Sequence, residues 1–212
     1  MFVADWMTRQ VITADPQESV LHAMHVMRDR GIKHLPVVKD GKLVGVISDR
    51  DIKAYCPSKA TALDVYEINY LLSKASVREA MGARLLTIAP DAPVEDAALM
   101  MLDENVGCLP VVAGETLAGI ISDRDIFRAL VDISGVRHGG HRICVIIADR
   151  PGTVKEVADI IRKHGFHLRG IMTSYEGVAA GSRRAVIRTT NESDFAPLRA
   201  ELEKTYGSAS IS

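Results

Sequence analysis

The heptapeptide GVISDRD at residues 45–51 returns with one letter changed as GIISDRD at residues 119–125, 74 positions later. Sliding the chain by 74 aligns residues 7–52 with 81–126 without a gap, and 19 of the 46 pairs are identical. The identities reach well beyond the heptapeptide: Met7/Met81, Thr13/Thr87, Pro16/Pro90, Val20/Val94, Ala23/Ala97, Met27/Met101, and LPVV at both 35–38 and 109–112. A match of this length is an internal duplication, and it constrains the fold before any other feature does. Pairs that differ still serve one backbone. Gly31 and Asn105 both tolerate the left-handed conformation that ends a helix. Asp40-Gly41 faces Gly114-Glu115, which suit two-residue hairpin turns of type I′ and type II′ respectively.

Each copy reads as a short strand (11–13; 85–88), a helix, a hairpin (34–38 with 43–47; 108–112 with 117–121) and a second helix opening at SDRD, the order β-α-β-β-α. In the first helix Val20, Ala23, Met24 and Met27 form one apolar stripe at i, i+3, i+4 and i+7. Pro93, the partner of Ser19, suits the first helical turn. A unit of roughly 50 residues buries too little apolar surface to stand alone, so the copies are expected to pack on each other. Between them, a helical stretch at 63–72, set off by Pro57, predicts an inserted helix, and SGVRHGGH at 134–141 reads as a linker. Residues 142–212 do not match the repeat. They give an apolar strand (143–148), a turn Asp149-Arg150-Pro151-Gly152, and a helix with Val154, Val157, Ala158 and Ile161 on one face, stopped at Gly165. Strands at 166–175 and 183–190, a helix carrying Phe195, Leu198 and Leu202, and a short strand within 208–212 complete a ferredoxin-like order.

The chain has 212 residues, 47% hydrophobic and 25% charged, the balance of a globular protein. A formal net charge of -1 supplies no basic surface for a phosphate backbone, so nucleic acid is not an expected partner. Cys56, Cys108 and Cys144 stand far apart with no CxxC spacing, which points to reduced thiols and a cytoplasmic location. No signal core and no run near the ~18 apolar residues of a membrane span are present.

The repeated motif has two readings. Ser48-x-x-Asp51 and Ser122-x-x-Asp125 match a capping box, the serine accepting from a backbone N–H at the helix start. The same residues suit a nucleotide: a glycine three positions before the serine allows close backbone approach, and free N–H groups at a helix start receive phosphate. The aspartate can accept from a ribose hydroxyl pair, and Arg50 or Arg124 can reach phosphates, with the LPVV strands as an apolar wall.

With both motifs in view, the duplicated unit resembles a tandem pair of CBS domains, and the last 70 residues resemble an ACT domain, on the strand-DRPG-helix opening at 149–152. The arrangement is similar to AcuB-type acetoin-utilisation proteins. The fold implied is α+β, two CBS units packed as a pair plus a ferredoxin-like ACT domain, divided as 1–56, an inserted helix at 57–74, 75–133, a linker at 134–141, and 142–212. The CBS resemblance implies sites in the cleft between the units for adenosine compounds: AMP, ADP, ATP, S-adenosylmethionine or NAD. Its ribose-binding aspartate maps to Asp51 and Asp125, and its motif hydroxyl to Ser48 and Ser122. Contacts to the base fall on Thr13 and Thr87, on His34 and Leu35, and on Cys108 and Leu109, with Pro36 and Pro110 also among the nucleotide-binding residues. Whether one site or both are filled stays open. The ACT resemblance implies dimerisation by sheet pairing and a small effector near Asp149 and Gly152. A homodimer acting on an unidentified regulated protein follows.

Sharper chemistry finds less support in the residues. Three HxxH spacings, His22/His25, His138/His141 and His164/His167, lack a third ligand nearby, so no metal site is expected. Asp49 and Asp51 flank Arg50, which should hold both ionised and unfit for proton donation, although a nucleotide could bring Mg2+ with it. No nucleophile, base and orienting group fall on neighbouring elements, so no enzyme and no catalytic cofactor are expected. An amino-acid sensor working through the ACT domain, with the CBS pair as scaffold, and an accessory role in acetoin catabolism remain as alternatives.

Overall fold

The computed structural model describes residues 1–56, 64–82, 84–190, 194–207 and 210–211, and the chain divides into two units, Met1–Phe127 and Arg128–Ser212. In the first the elements run α1 (Val3–Trp6), α2 (Val20–Arg30), β1 (His34–Lys39), β2 (Lys42–Ser48), α3 (Asp49–Tyr55), α4 (Val65–Lys74), α5 (Val77–Ala80), α6 (Val94–Asp103), β3 (Cys108–Ala113), β4 (Thr116–Ser122) and the start of α7 (Asp123–Ile133).

The duplication is carried into backbone geometry. α2 buries Val20, Ala23 and Met27, and α6 buries their partners Val94, Ala97 and Met101. Gly31 (φ 63°) and Asn105 (φ 52°) end these helices in the left-handed region. Asp40 and Gly41 both take positive φ in the first hairpin turn, while Gly114 takes it in the second, as types I′ and II′ require. Both hairpins slip register at the same place, Val37/Val38 and Val111/Val112, so even the bulge is copied. Pro93 sits at the N-cap of α6, one step outside the helix.

The leading strand of each copy is shorter than the sequence suggests. It shrinks to single parallel bridges, Ala14 with Val37 and Ile88 with Val111. Ala14 donates to the Pro36 carbonyl at 3.0 Å and accepts from the Val38 N–H at 2.9 Å, and Ile88 repeats this with Pro110 and Val112. Extending a parallel ladder in one direction needs a donor from Pro36 or Pro110, and in the other from Pro16 or Pro90. None has an N–H, so the pairing stops after one residue.

Two four-residue helices escaped the sequence reading, and they bind the copies together. α1 docks on the second repeat: Val3 and Ala4 donate to the carbonyls of Ala92 and Pro90, and Thr8 pairs with Ile120 in both directions. α5 docks on the first: Val77 and Arg78 donate to Glu18 and Pro16, and Val20 donates to Ala75. One core accordingly joins Val20, Leu35, Val37 and Ile47 to Leu72 and Val77, and the other joins Leu109, Val111 and Ile121 to Val3 and Met7. Each repeat is completed by the segment that leads into the other. The helix expected at 63–72 is α4, opened by a reciprocal cap in which Asp64 accepts from the Glu67 N–H at 2.8 Å and Glu67 from the Asp64 N–H at 2.9 Å. Pro57 and Leu63 lie outside the described residues.

The second unit holds a one-turn 3-10 helix (Val136–His138), then β5 (Arg142–Ala148), α8 (Thr153–Lys163), β6 (Leu168–Ser174), β7 (Ser182–Thr189), α9 (Ala196–Tyr206) and β8 (Ser210–Ile211). Its four strands form one antiparallel sheet in the order β6-β7-β5-β8. Alternate residues Ile143, Val145 and Ile147 of β5, with Ala185 and Ile187 of β7, are buried with Val157 and Ile161 of α8 and Leu198 and Leu202 of α9. The terminal strand expected within 208–212 pairs only at Ser210 and Ile211, and the rest of that range lies outside the described residues.

The motif glycines serve the exchange of segments. A Cβ on Gly45 would stand 2.6 Å from Met81 Sδ; one on Gly119 would stand 2.6 Å from Met7 Sδ and 2.9 Å from the Thr8 carbonyl oxygen. The close approach predicted for a ligand is thus made by a methionine of the exchanged segment. Gly119→Ala is expected to lower unfolding free energy by about 1–3 kcal/mol through overpacking against backbone. Gly45→Ala should cost less than about 1 kcal/mol, because the end of a methionine can move aside. Urea unfolding of the two variants checks the order.

Candidate functional site

The repeated serine first acts as a cap. Ser48 Oγ accepts from the Asp51 N–H at 3.2 Å, and Asp51 Oδ2 accepts from Ser48 N at 2.8 Å and Ser48 Oγ at 2.5 Å. In the second copy Asp125 Oδ2 accepts from Ser122 N at 3.0 Å and from Ser122 Oγ at 2.7 Å. The first copy has both halves of the capping box and the second has the aspartate's bonds back to its serine, so each aspartate is held at the mouth of a helix. The exposures differ: Asp51 is half-buried, whereas Asp125 is 8% exposed.

A cleft of 530 Å3 opens beside the first motif. The first repeat contributes Lys33, His34, Val46, the run from Ser48 to Asp51, and Lys53; the second contributes Asn105 to Cys108, Pro110 and Asp123. Gly82, Arg84 and Leu86 complete it, brought in by the segment that follows α5. Asp49 N donates to the Lys33 carbonyl and Asp123 N to the Gly107 carbonyl, so the two hairpins meet α3 and α7 alike. Arg50 does not bind its flanking carboxylates; its Nη1 donates across the cleft to the Asn105 carbonyl at 3.5 Å, while Asp49 pairs with Lys53 at 2.6 Å. Arg50 thus contacts neither flanking carboxylate: Asp49 has a lysine and Asp51 has the cap.

His34 crosses to the other repeat. A Cβ on Gly107 would stand 3.1 Å from both Cε1 and Nε2 of its ring, so glycine at 107 leaves the room the imidazole occupies. Burial pushes the His34 pKa below its ordinary value, opposed by the charges of Asp123 and Asp51 and assisted by Lys33 and Arg50. The ring is therefore neutral at pH 7, with one nitrogen to donate and one to accept. Burial, then Asp123 and Asp51, push the Cys108 thiol up to about 12, which makes it a neutral wall rather than a nucleophile.

Of the residues singled out from sequence, His34, Ser48, Arg50, Asp51, Cys108 and Pro110 line this cleft. Thr13, Leu35, Pro36, Thr87, Leu109, Ser122, Arg124 and Asp125 are not in its lining. Leu35 and Leu109 are 1% and 0% exposed and point into the two cores, so their side chains cannot serve as base contacts. Thr13 and Thr87 are exposed, beside the single-residue bridges. Sequence reasoning missed Lys33, Lys53, Arg84 and Asn105. Lys53 carried a signal, four residues after Asp49 on one helix face; Arg84 carried none, since the docking of α5 delivers it. In the second unit the Asp149 carboxylate stands 3.6 Å from Arg183 Nε, Arg183 Nη2 donates to Thr153 Oγ1 at 3.4 Å, and Gly152 (φ 92°) caps the start of α8.

The model of the CBS domain family matches residues 3–58 and 77–132. Among curated relatives, protein MJ1404 of Methanocaldococcus jannaschii is 34% identical over 131 residues, 60% of this chain and 31% of that protein, so the chain spans less than a third of its relative's length. Among solved structures, an acetoin utilization protein (AcuB) from Vibrio cholerae superposes with a TM-score of 0.54 at 30% identity, covering 65% of this chain and 96% of that one. The CBS domain pair of MJ0100, in complex with 5-methylthioadenosine and S-adenosyl-L-methionine, gives 0.51 at 29%, covering 61% and 95%. CBSX2 in complex with AMP gives 0.52 at 29%, covering 62% and 97%.

The shifted histidine has a measurable consequence. Because its folded pKa lies below the unfolded value of 6.5, the unfolded chain binds the extra proton first, and stability falls as pH drops from 6.5 toward the lower folded value. Unfolding of the wild type should lose free energy across that window, and His34→Asn should remove this component of the slope. Urea midpoints at pH 7.5 and 5.5 for both proteins make the comparison.

Proposed function

Because the chain belongs to the CBS domain family and carries two of its units in tandem, we propose that it is a regulatory protein that binds an adenosine-containing nucleotide in the cleft beside Ser48 and Asp51. The observation that carries this reading is the cleft itself: 530 Å3 of space faced by a capped carboxylate, a neutral imidazole and several cations. That volume suits a small-molecule ligand. Asp51, whose Oδ2 is engaged by the cap, offers its other oxygen to the ribose hydroxyls, with Ser48 beside it. Arg50 meets the phosphate and His34 the base edge. The complexes of CBSX2 with AMP and of MJ0100 with S-adenosyl-L-methionine support the ligand class. The second motif, with Ser122, Arg124 and Asp125, and with Thr87, Leu109 and Pro110 near it, is the related position. Mg2+ would enter only as a companion of a nucleotide phosphate.

In this reading the chain divides as first proposed from sequence: CBS units at 1–56 and 75–133, an intervening helical segment, and a C-terminal ACT domain at 142–212. The ACT assignment is supported by the sheet order β6-β7-β5-β8 with α8 and α9 against one face. Its role is to pair two copies in the cytoplasm, so that a change in the CBS cleft reaches a regulated protein; no catalysis is assigned to the chain. A second reading, an amino-acid sensor, draws on Asp149 and Arg183 at the start of α8. The likeness to the Vibrio cholerae protein makes acetoin use the process to test first.

Calorimetry and thermal unfolding with AMP, ADP, ATP, S-adenosylmethionine, NAD and the amino acids test both readings. An adenosine ligand at ~100 times its Kd should add about 2.7 kcal/mol of stability. Asp51→Ala should abolish that gain while costing about 1 kcal/mol of its own as a lost cap. Binding of an amino acid that survives Asp51→Ala and Asp125→Ala would transfer the function to the second unit. No response to any adenosine compound would refute the nucleotide reading.

A further inference from the structure

The two heptapeptides are nearly identical, yet the cations placed around them are not. Lys33, Arg50, Lys53 and Arg84 line the first cleft, with Asp49, Asp51 and Asp123 as its carboxylates. The 74-residue shift places Gly107 where Lys33 stands, Arg124 for Arg50, Phe127 for Lys53 and Gln10 for Arg84. Phe127 is 64% exposed, and Arg9, the neighbour of Gln10, donates to the Ala4 carbonyl at 2.9 Å. The duplication kept the cap and let the surrounding charge diverge.

We propose that the first cleft selects nucleoside di- and triphosphates over the monophosphate, through Lys53 and Arg84, and that the second motif forms no equivalent polyphosphate site. This rests on the reading that the cleft holds an adenosine ligand. A first phosphate at the opening of α3 meets Arg50; Lys53, one turn further along α3, and Arg84 opposite it are where a second and third phosphate extend. Lys53 is paired with Asp49, and Arg84 with Glu104, and both cations are mostly exposed, at 74% and 68% of their side chains. The Lys53–Asp49 pair is solvent-screened and holds little energy, and Arg84 holds Glu104 in a two-pronged pair with its own side chain mostly in solvent; either cation gains by turning to a phosphate, which carries more charge than a carboxylate. Lysine does so as a point charge, and arginine as a two-pronged donor. The same cations oppose a sulfonium, so S-adenosylmethionine is disfavoured here.

Calorimetry on the full chain with adenosine, AMP, ADP, ATP and S-adenosylmethionine is the test. The expected result is one ATP per chain, an affinity rising about tenfold from AMP to ATP, and weaker binding of S-adenosylmethionine. Lys53→Met combined with Arg84→Gln should erase the advantage of ATP and leave AMP within about threefold of wild type. Both side chains are exposed, so unchanged thermal unfolding confirms that the variant folds. Equal affinity for AMP and ATP, an ATP advantage that survives the double variant, or two equivalent ATP sites per chain overturns this proposal while leaving the nucleotide reading intact. Failure of every adenosine compound to bind overturns both.

Discussion

Everything in the first unit depends on an exchange of two short segments. Residues 1–8 complete the second repeat and residues 72–81 complete the first, with Val3 and Val77 fully buried in the cores they close. A β-α-β-β-α unit of this size cannot by itself bury enough apolar surface to offset the chain entropy lost on folding. Exchanging the lead-in segments removes the shortfall and makes the repeats inseparable. Met7 on Gly119 and Met81 on Gly45 lock the arrangement, because neither glycine position has room for a Cβ while the methionine is in place. The cleft follows from this. Arg84 and Leu86 reach its rim because α5 is docked on the first repeat, and Asn105 to Cys108 face Arg50 because the second repeat is held against it.

The motif serves architecture and chemistry with the same atoms. A capping aspartate must lie at a helix start, where unpaired N–H groups and the positive end of the helix dipole already favour anions. The residue that stabilises α3 thereby becomes a carboxylate fixed at the mouth of a cleft, one oxygen committed to Ser48. Around it burial tunes two further groups in a consistent sense, toward neutrality: His34 sheds its proton and Cys108 keeps its own.

Much of this was legible in the letters. The copied LPVV, the paired helix stripes, the left-handed Gly31 and Asn105, and the two turn types are local requirements of the backbone, and the structure shows each of them. The leading strands were overread because a stretch of suitable residues says nothing about its partner's donors; Pro36 and Pro110, seen as part of a strand, are what cut the ladder short. α1 and α5 were missed because four residues give no periodicity, although Val3/Val77 continues the 74-residue match. The role given to Gly45 and Gly119 was right in kind and wrong in partner: close approach is required, but a methionine makes it. Leu35 and Leu109 show the limit of position-by-position transfer, since alternate residues of a strand face opposite ways and these two face inward.

For a ligand to regulate, it must bind two arrangements of the repeats unequally, since equal affinity shifts nothing. Under the proposed function the cleft meets this requirement in one respect. Its lining is drawn from both repeats and from the connecting segment, so a change in their relation separates groups that one ligand would touch together. The side-chain link that spans it between the repeats is weak: Arg50 Nη1 reaches the Asn105 carbonyl at 3.5 Å. A hydrogen bond at that length is weaker than a charge-assisted bond of ordinary length to a ligand, worth about 1.5–3 kcal/mol. A bound anion that took over Arg50 would therefore replace a weak link between the repeats with a stronger one through itself. The copied apolar cores would stay as they are, and the change would be confined to the surface where the repeats face each other.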